Sequence, residues 1–229
     1  MRGNGSGLLY LNLKNNEFID KLYYVGGKWI MKKAAIMIFP QFCMQEISCL
    51  TEIFKWYDKE ITVFASSLSP VNSEDGFTIL PHKTFSDFNR DEYDCIITPG
   101  IWDFREVLND DENIRFLKQF SNDKEIVIAS ISSSPILLGK AGILKNYKFC
   151  CGLFEEDIDK YSFIPRENIV RKPVCEDKNL ITAIGFAFRE FAVAVARRVG
   201  IDCDENIFSS ITREYSEEEL TFYRTEKLE

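Results

Sequence analysis

Four serines and a proline, in Ser130-Ile131-Ser132-Ser133-Ser134-Pro135, follow directly on the apolar run from Ile126 to Ala129. Such a run reads as a strand buried on both faces, and a proline in the first turn marks the helix behind it. A side chain on this turn sits at a helix N-terminus, where backbone N–H groups and the helix dipole favour an anion. The arrangement is that of a nucleophile elbow without the Gly-x-Ser-x-Gly form, and Ser132 stands at its tip. A thiol there would be partly ionised at neutral pH, whereas a serine needs a positioned base. Ser130, Ser133 and Ser134 can donate hydrogen bonds but cannot act as that base. Two readings follow for Ser132: a nucleophile awaiting a base, or a small polar residue filling the turn.

The remaining reactive side chains are few. The chain has seven cysteines and one histidine, His82. No Cys-x-x-Cys pair occurs, and only Cys150 and Cys151 lie close together in sequence. A zinc site needs spaced ligands and, usually, histidines, so no metal is expected. Buried free thiols in a reduced, cytoplasmic protein are the plain reading. A net charge of -8 leaves no surplus of Lys and Arg for phosphates, which argues against nucleic acid as a partner. No apolar stretch approaches the roughly 20 residues of a membrane span.

The elements that must hold the elbow alternate between strand and helix. Ala34 to Phe39, Ile61 to Ala65, Cys95 to Thr98 and Ile126 to Ala129 are apolar runs of strand length. Phe149 to Cys151, Ile169 to Val174 and Leu180 to Ala183 are also expected to be strands. Ile47, Leu50, Phe54 and Tyr57 give one helix its apolar face. Ile114, Leu117 and Phe120 mark a second, capped by Asp110 or Asp111. Phe188, Phe191, Ala192, Val195 and Val199 mark a closing helix. Asp75-Gly76 followed by Phe77 to Leu80 suggests a small hairpin at an edge. The pattern implies a doubly wound α/β domain, its mostly parallel sheet covered by helices on both faces. One domain over 31–229 fits better than two. Residues 1–30, rich in Gly and Asn, fit no clear element; Met31 is expected to be the true start and the stretch before it an artefact or a disordered extension. The competing view is a genuine extension packing through Leu8, Leu9 and Tyr10.

In order and spacing, several pieces resemble the ThiJ/PfpI superfamily, whose fold is flavodoxin-like and of the class I glutamine-amidotransferase type. They are the elbow itself, Tyr93-Asp94-Cys95-Ile96-Ile97-Thr98-Pro99-Gly100, Leu137-Leu138-Gly139-Lys140-Ala141-Gly142-Ile143-Leu144, and Leu180-Ile181-Thr182-Ala183-Ile184-Gly185. The similarity runs from about Lys33 to Gly200. The family elbow reads roughly Ala-Ile-Cys-x-x-Pro, so the resemblance implies that Ser132 stands where relatives carry a nucleophilic cysteine. It also implies that Glu46 is the family's acidic residue, which hydrogen-bonds that cysteine and whose pKa is expected to be raised. The plainer account of Glu46 is a carboxylate favoured at a helix N-terminus. The family histidine falls on Gly152, in Phe149-Cys150-Cys151-Gly152. His82 lies much earlier and is expected at the surface.

The resemblance further implies an oxyanion site from the backbone N–H groups after Gly100, at Ile101, and at Ser133. Ile101 replaces a second glycine common in relatives and, with Trp102, is expected to narrow the pocket. If a strand presents Gly152 to the pocket, alternation turns Cys150 the same way, as a displaced thiol or a buried structural one. Cys43, in the loop before Glu46, invites the same two readings. Together these residues predict a degenerate site that binds a small anion or metabolite without a cofactor and with little cysteine chemistry. The alternative is a serine- or water-based hydrolase or amidase using Ser132 and Glu46. Relatives commonly form homodimers, which the resemblance implies here as well.

Overall fold

In the computed structural model, residues 22–25, 28–208 and 214–223 are described. The described part of the first thirty residues is a hairpin: β1 (Leu22–Val25) pairs antiparallel with β2 (Lys28–Met31). The sequence had suggested no element there. Leu8, Leu9 and Tyr10 lie outside the described residues.

The chain then runs through β3 (Lys33–Met37), α1 (Gln45–Trp56) and β4 (Ile61–Ala65). Two-residue strands β5 (Val71–Asn72) and β6 (Thr78–Ile79) form the expected hairpin, which Gly76 turns at φ +86°. Next come β7 (Lys83–Thr84), β8 (Tyr93–Thr98), α2 (Phe104–Asn109) and α3 (Asp111–Lys118). Asp110 caps α3 by accepting from the Glu112 N–H at 2.9 Å. The last part is β9 (Val127–Ile131), α4 (Pro135–Lys140), α5 (Glu155–Lys160), β10 (Val174–Asp177), β11 (Leu180–Ala183) and α6 (Phe188–Arg198).

Seven strands form one sheet in the order β10-β11-β9-β8-β3-β4-β7, parallel throughout except for the β10–β11 pair. The fold is thus the doubly wound, mostly parallel α/β type, with helices on both faces of the sheet. Its central strands are buried from end to end, as β9 shows with all five residues buried. Strand order reverses between β3 and β8. In open parallel sheets the crevice at such a switch point, beyond the carboxyl ends, is where ligands bind.

Two of the expected strands are not strands. Phe149 makes only an isolated bridge to Ile169, and neither Phe149 to Cys151 nor Ile169 to Pro173 joins the sheet. The donors that a ladder would use go elsewhere. Cys150 gives its N–H to the Thr182 hydroxyl at 2.9 Å, and Gly152 gives its own to Ser132 O at 2.7 Å. Tyr57 is likewise not part of the apolar face of α1. It is exposed just past the last turn, and Ile53 takes the core position beside Ile47, Leu50 and Phe54.

The first turn of α1 carries Glu46, so its anchoring matters for the site. Met44, at the cap, has no side chain able to accept a hydrogen bond. Asp75, from the β5–β6 turn, supplies the acceptor instead and receives the Met44 N–H at 2.7 Å. A carboxylate there also complements the helix dipole. Replacing Asp75 by Ala is expected to lower stability by about 1 kcal/mol, read as a lower urea midpoint with unchanged slope. An unchanged midpoint would mean that α1 does not depend on this cap.

Candidate functional site

Three strand ends meet beside the switch point. The register pairs Thr98 of β8 with Ser130 of β9, and Ile131 of β9 with Ala183 of β11. Ser132 therefore emerges between the loop after Thr98 and the loop after Ala183. It leaves the strand with φ +63°, a left-handed conformation that costs a non-glycine residue about 1–2 kcal/mol. Two hydrogen bonds hold it there: Ser132 N–H donates to Ala183 O at 2.8 Å, and Gly152 N–H donates to Ser132 O at 2.7 Å. The turn is the sharp elbow expected from the sequence.

The other three serines of the segment fasten the elbow to the end of β8. Ser130 accepts from the Thr98 hydroxyl at 2.7 Å, in a spot closed to water. Ser134 donates to Pro99 O. The Ser133 hydroxyl accepts from Ile101 N–H at 3.1 Å and donates to Ile101 O at 2.7 Å. This last pair corrects the expected oxyanion site. Ile101 N–H is consumed within the protein, so it does not converge with Ser133 N–H on a ligand. Moreover, α4 spans only six residues, which gives its dipole little reach.

Glu46 reaches Ser132 from the first turn of α1. Its carboxyl lies in a cradle between two glycines. A Cβ on Gly100 would stand 1.9 Å from Oε2, and one on Gly185 would stand 2.4 Å from Oε1 and 3.2 Å from Ser132 Oγ. Any side chain at either position would expel the carboxyl. Gly100 thus sits behind Glu46 instead of lining the pocket. Oε2 is buried without a hydrogen bond of good geometry among the described residues. Burial pushes the Glu46 carboxyl up to about 7, and the charges of Glu74 and Asp75 push the same way. The Ser132 hydroxyl and the Gly100 N–H oppose that shift.

A cavity of about 630 Å³ opens over Ser132. Ser132, Ser133, Ile101 and Gly152 line it, together with Cys43, Glu46 and Glu74. Trp102, Phe104, Phe154 and Tyr161 contribute the aromatic surface. Cys150 does not line this cavity. It is buried, its Sγ directed to Thr182 O at 3.2 Å, and burial pushes the thiol up to about 12. Cys43 does line it, but burial, then a hydrogen bond to Glu74, raises its thiol far above the ordinary value. Burial thus favours the protonated form of both thiols. His82 is exposed beside β4, its Nδ1 accepting the Val63 N–H at 3.1 Å.

Glu46, Ser132, Ser133, Ile101 and Gly152, each named from the sequence, all line this cavity. Sequence reasoning missed Glu74, Phe104, Phe154 and Tyr161. Phe104 and Tyr161 lie in or beside α2 and α5, two six-residue helices with too few apolar repeats to register as periodic.

The raised carboxyl of Glu46 has a consequence for stability. Its folded pKa lies above the unfolded value, so the folded state binds more protons between the two, and stability falls as pH rises through that window. Above the folded value the loss levels off. Relative to Glu46→Gln, the wild type is expected to lose on the order of 2–3 kcal/mol between about pH 5 and about pH 8. Urea unfolding at both pH values measures it, and parallel pH profiles for the two proteins would refute it.

The sequence profile of the DJ-1/PfpI family matches residues 32–198. YdeA of Bacillus subtilis, described as an uncharacterized protease, is 28% identical over 188 residues, covering 77% of this chain and 88% of that one. A DJ-1 superfamily protein from Agrobacterium tumefaciens superposes with a TM-score of 0.68 at 21% identity, over 76% of this chain and 93% of that one. A second, from Salmonella typhimurium, gives 0.64 at 25% identity over 75% and 92%. With its fold, its elbow and the acid beneath it in place, this chain belongs to the DJ-1/PfpI family.

Proposed function

We propose that this chain binds a small metabolite in the cavity over the elbow and carries out little or no cysteine-type chemistry. One observation carries the reading: the strained elbow, its clamps and the glycine cradle around Glu46 are intact, yet the residue they present is Ser132. Gly152 stands where relatives carry the histidine, and among the described residues no imidazole lines the cavity. A serine hydroxyl without a strong base is a hydrogen-bonding group, not a nucleophile. The loss of Ile101 N–H to Ser133 removes one of two donors that an anion would use. That shifts the expected ligand from a small anion toward an uncharged or positively charged metabolite.

A thermal-shift screen with a metabolite panel tests this reading. A hit is expected to raise the melting temperature of the wild type and to leave Ser132→Trp, whose indole fills part of the cavity, unmoved. Equal stabilisation of both proteins would place the ligand elsewhere and end the proposal.

The second reading, a serine hydrolase or amidase, draws on the contact between Glu46 and Ser132. A carboxyl tuned to about 7 is half ionised near neutrality and lies beside the hydroxyl that it would have to deprotonate. In that mechanism Ser132 Oγ bonds to the substrate carbonyl carbon while its proton passes to Glu46. The same proton then goes to the leaving amine or alcohol, and water releases the acyl group. The developing oxyanion would meet Ser133 N–H alone, which is a weak hole. Incubation with a fluorophosphonate probe separates the readings. An adduct on Ser132 would establish the hydrolase, and its absence by intact mass is the outcome expected here.

A further inference from the structure

The cavity lining combines aromatic rings with carboxylates. Trp102, Phe104, Phe154 and Tyr161 supply the rings, and Trp102 is 78% exposed. Phe104 and Tyr161 meet edge to face, with ring centroids 6.1 Å apart. A large apolar side chain left in water at a cavity mouth is a mark of a binding surface. The same lining includes the carboxylates of Glu46 and Glu74, with Asp75 next in the chain, besides Asp103 and Asp157. Glu74 has no basic partner among the described residues.

The cavity's own cations are already engaged. The Arg105 guanidinium is held by Asp103 through two hydrogen bonds. The Lys160 ammonium sits over the ring of Tyr161, 5.2 Å from its centroid. An aromatic face attracts a cation through its quadrupole, and Lys160 shows that this surface holds one. The repulsion of Glu74 and Asp75 that helps keep a proton on Glu46 is the same negative potential that a positive ligand would feel. An anion, by contrast, would face those carboxylates with Ile101 N–H closed to it.

From this juxtaposition of aromatic rings and a carboxylate without a basic partner in the cavity over the elbow, we infer that the cavity selects a small organic cation, an ammonium group on a compact apolar body. The inference rests on the metabolite-binding reading and narrows its ligand to one charge class. Rings and a carboxylate lining one cavity hold an ammonium better than a neutral group of equal shape, because only the charge gains from both.

Three probes of matched shape test it on the full chain: choline, 3,3-dimethylbutan-1-ol and 3,3-dimethylbutanoate, which are cationic, neutral and anionic. Binding is followed by tryptophan fluorescence and by melting temperature. Choline is expected to bind at least about tenfold more tightly than either of the others. Glu74→Gln is expected to reduce that preference about fivefold or more while its own melting temperature stays near that of the wild type, and Trp102→Ala to abolish the fluorescence response. Equal binding of the neutral or the anionic probe overturns the cation inference and leaves the cavity a binding site. No response to any of the three also overturns it, while the metabolite screen against Ser132→Trp judges the broader reading separately. A choline preference that survives Glu74→Gln unchanged removes the carboxylate from the account and sinks the inference as stated.

Discussion

A left-handed serine at the end of a buried parallel strand cannot hold its shape alone. Ser132 is kept in that conformation by backbone hydrogen bonds from both flanks, one to Ala183 and one from Gly152. The rest of the site follows from this pinned residue. The carbonyl of Ala183 is available because β11 runs parallel to β9 in a register that ends both strands together. The N–H of Gly152 is available because its segment does not join the sheet and forms no ladder. Strain of about 1–2 kcal/mol persists where the surroundings leave the backbone no alternative, and such places tend to be functional.

The hydroxyl groups around Ser132 divide the labour. Ser130, Ser133 and Ser134 each bond to the end of β8 and so join two loops that approach from neighbouring strands. Deleting any one of them would leave a buried partner unsatisfied. Ser132 alone among the four hydrogen-bonds the carboxyl of Glu46, and it lines the cavity with Ser133. A run of four serines that looks uniform in sequence therefore contains three fasteners and one presented group.

Much of this was legible from residue order. Buried strands announce themselves as short apolar runs, and Ile61 to Ala65 and Leu180 to Ala183 coincide with the observed strands to the residue. Glu46 and Ser132 were placed together through family resemblance, and the structure supplies the physical reason in the two glycines that make room for the carboxyl. What could not be read was hydrogen-bond bookkeeping at the elbow. Whether Ile101 N–H faces a ligand or a serine hydroxyl depends on one rotamer of Ser133, and sequence does not encode rotamers. Apolar runs were also misleading where side-chain acceptors such as Thr182 take the donors that a strand would use, as at Cys150. The aromatic lining of the cavity went unseen for a third reason: α2 and α5 are too short for periodicity to reveal them.

The carboxyl of Glu46, pushed up to about 7 by burial in its glycine cradle, gives the cavity lining a charge buffer. A buried group of fixed charge admits guests of one sign and penalises the rest. An acid poised near neutrality instead releases its proton when a positive guest arrives and takes one up when that guest departs. One unit of positive charge then replaces another, and the desolvated lining stays close to electroneutral in both states. For the cationic guest proposed above, occupancy of such a pocket would be coupled to the proton concentration around it, with binding releasing acid as well as water.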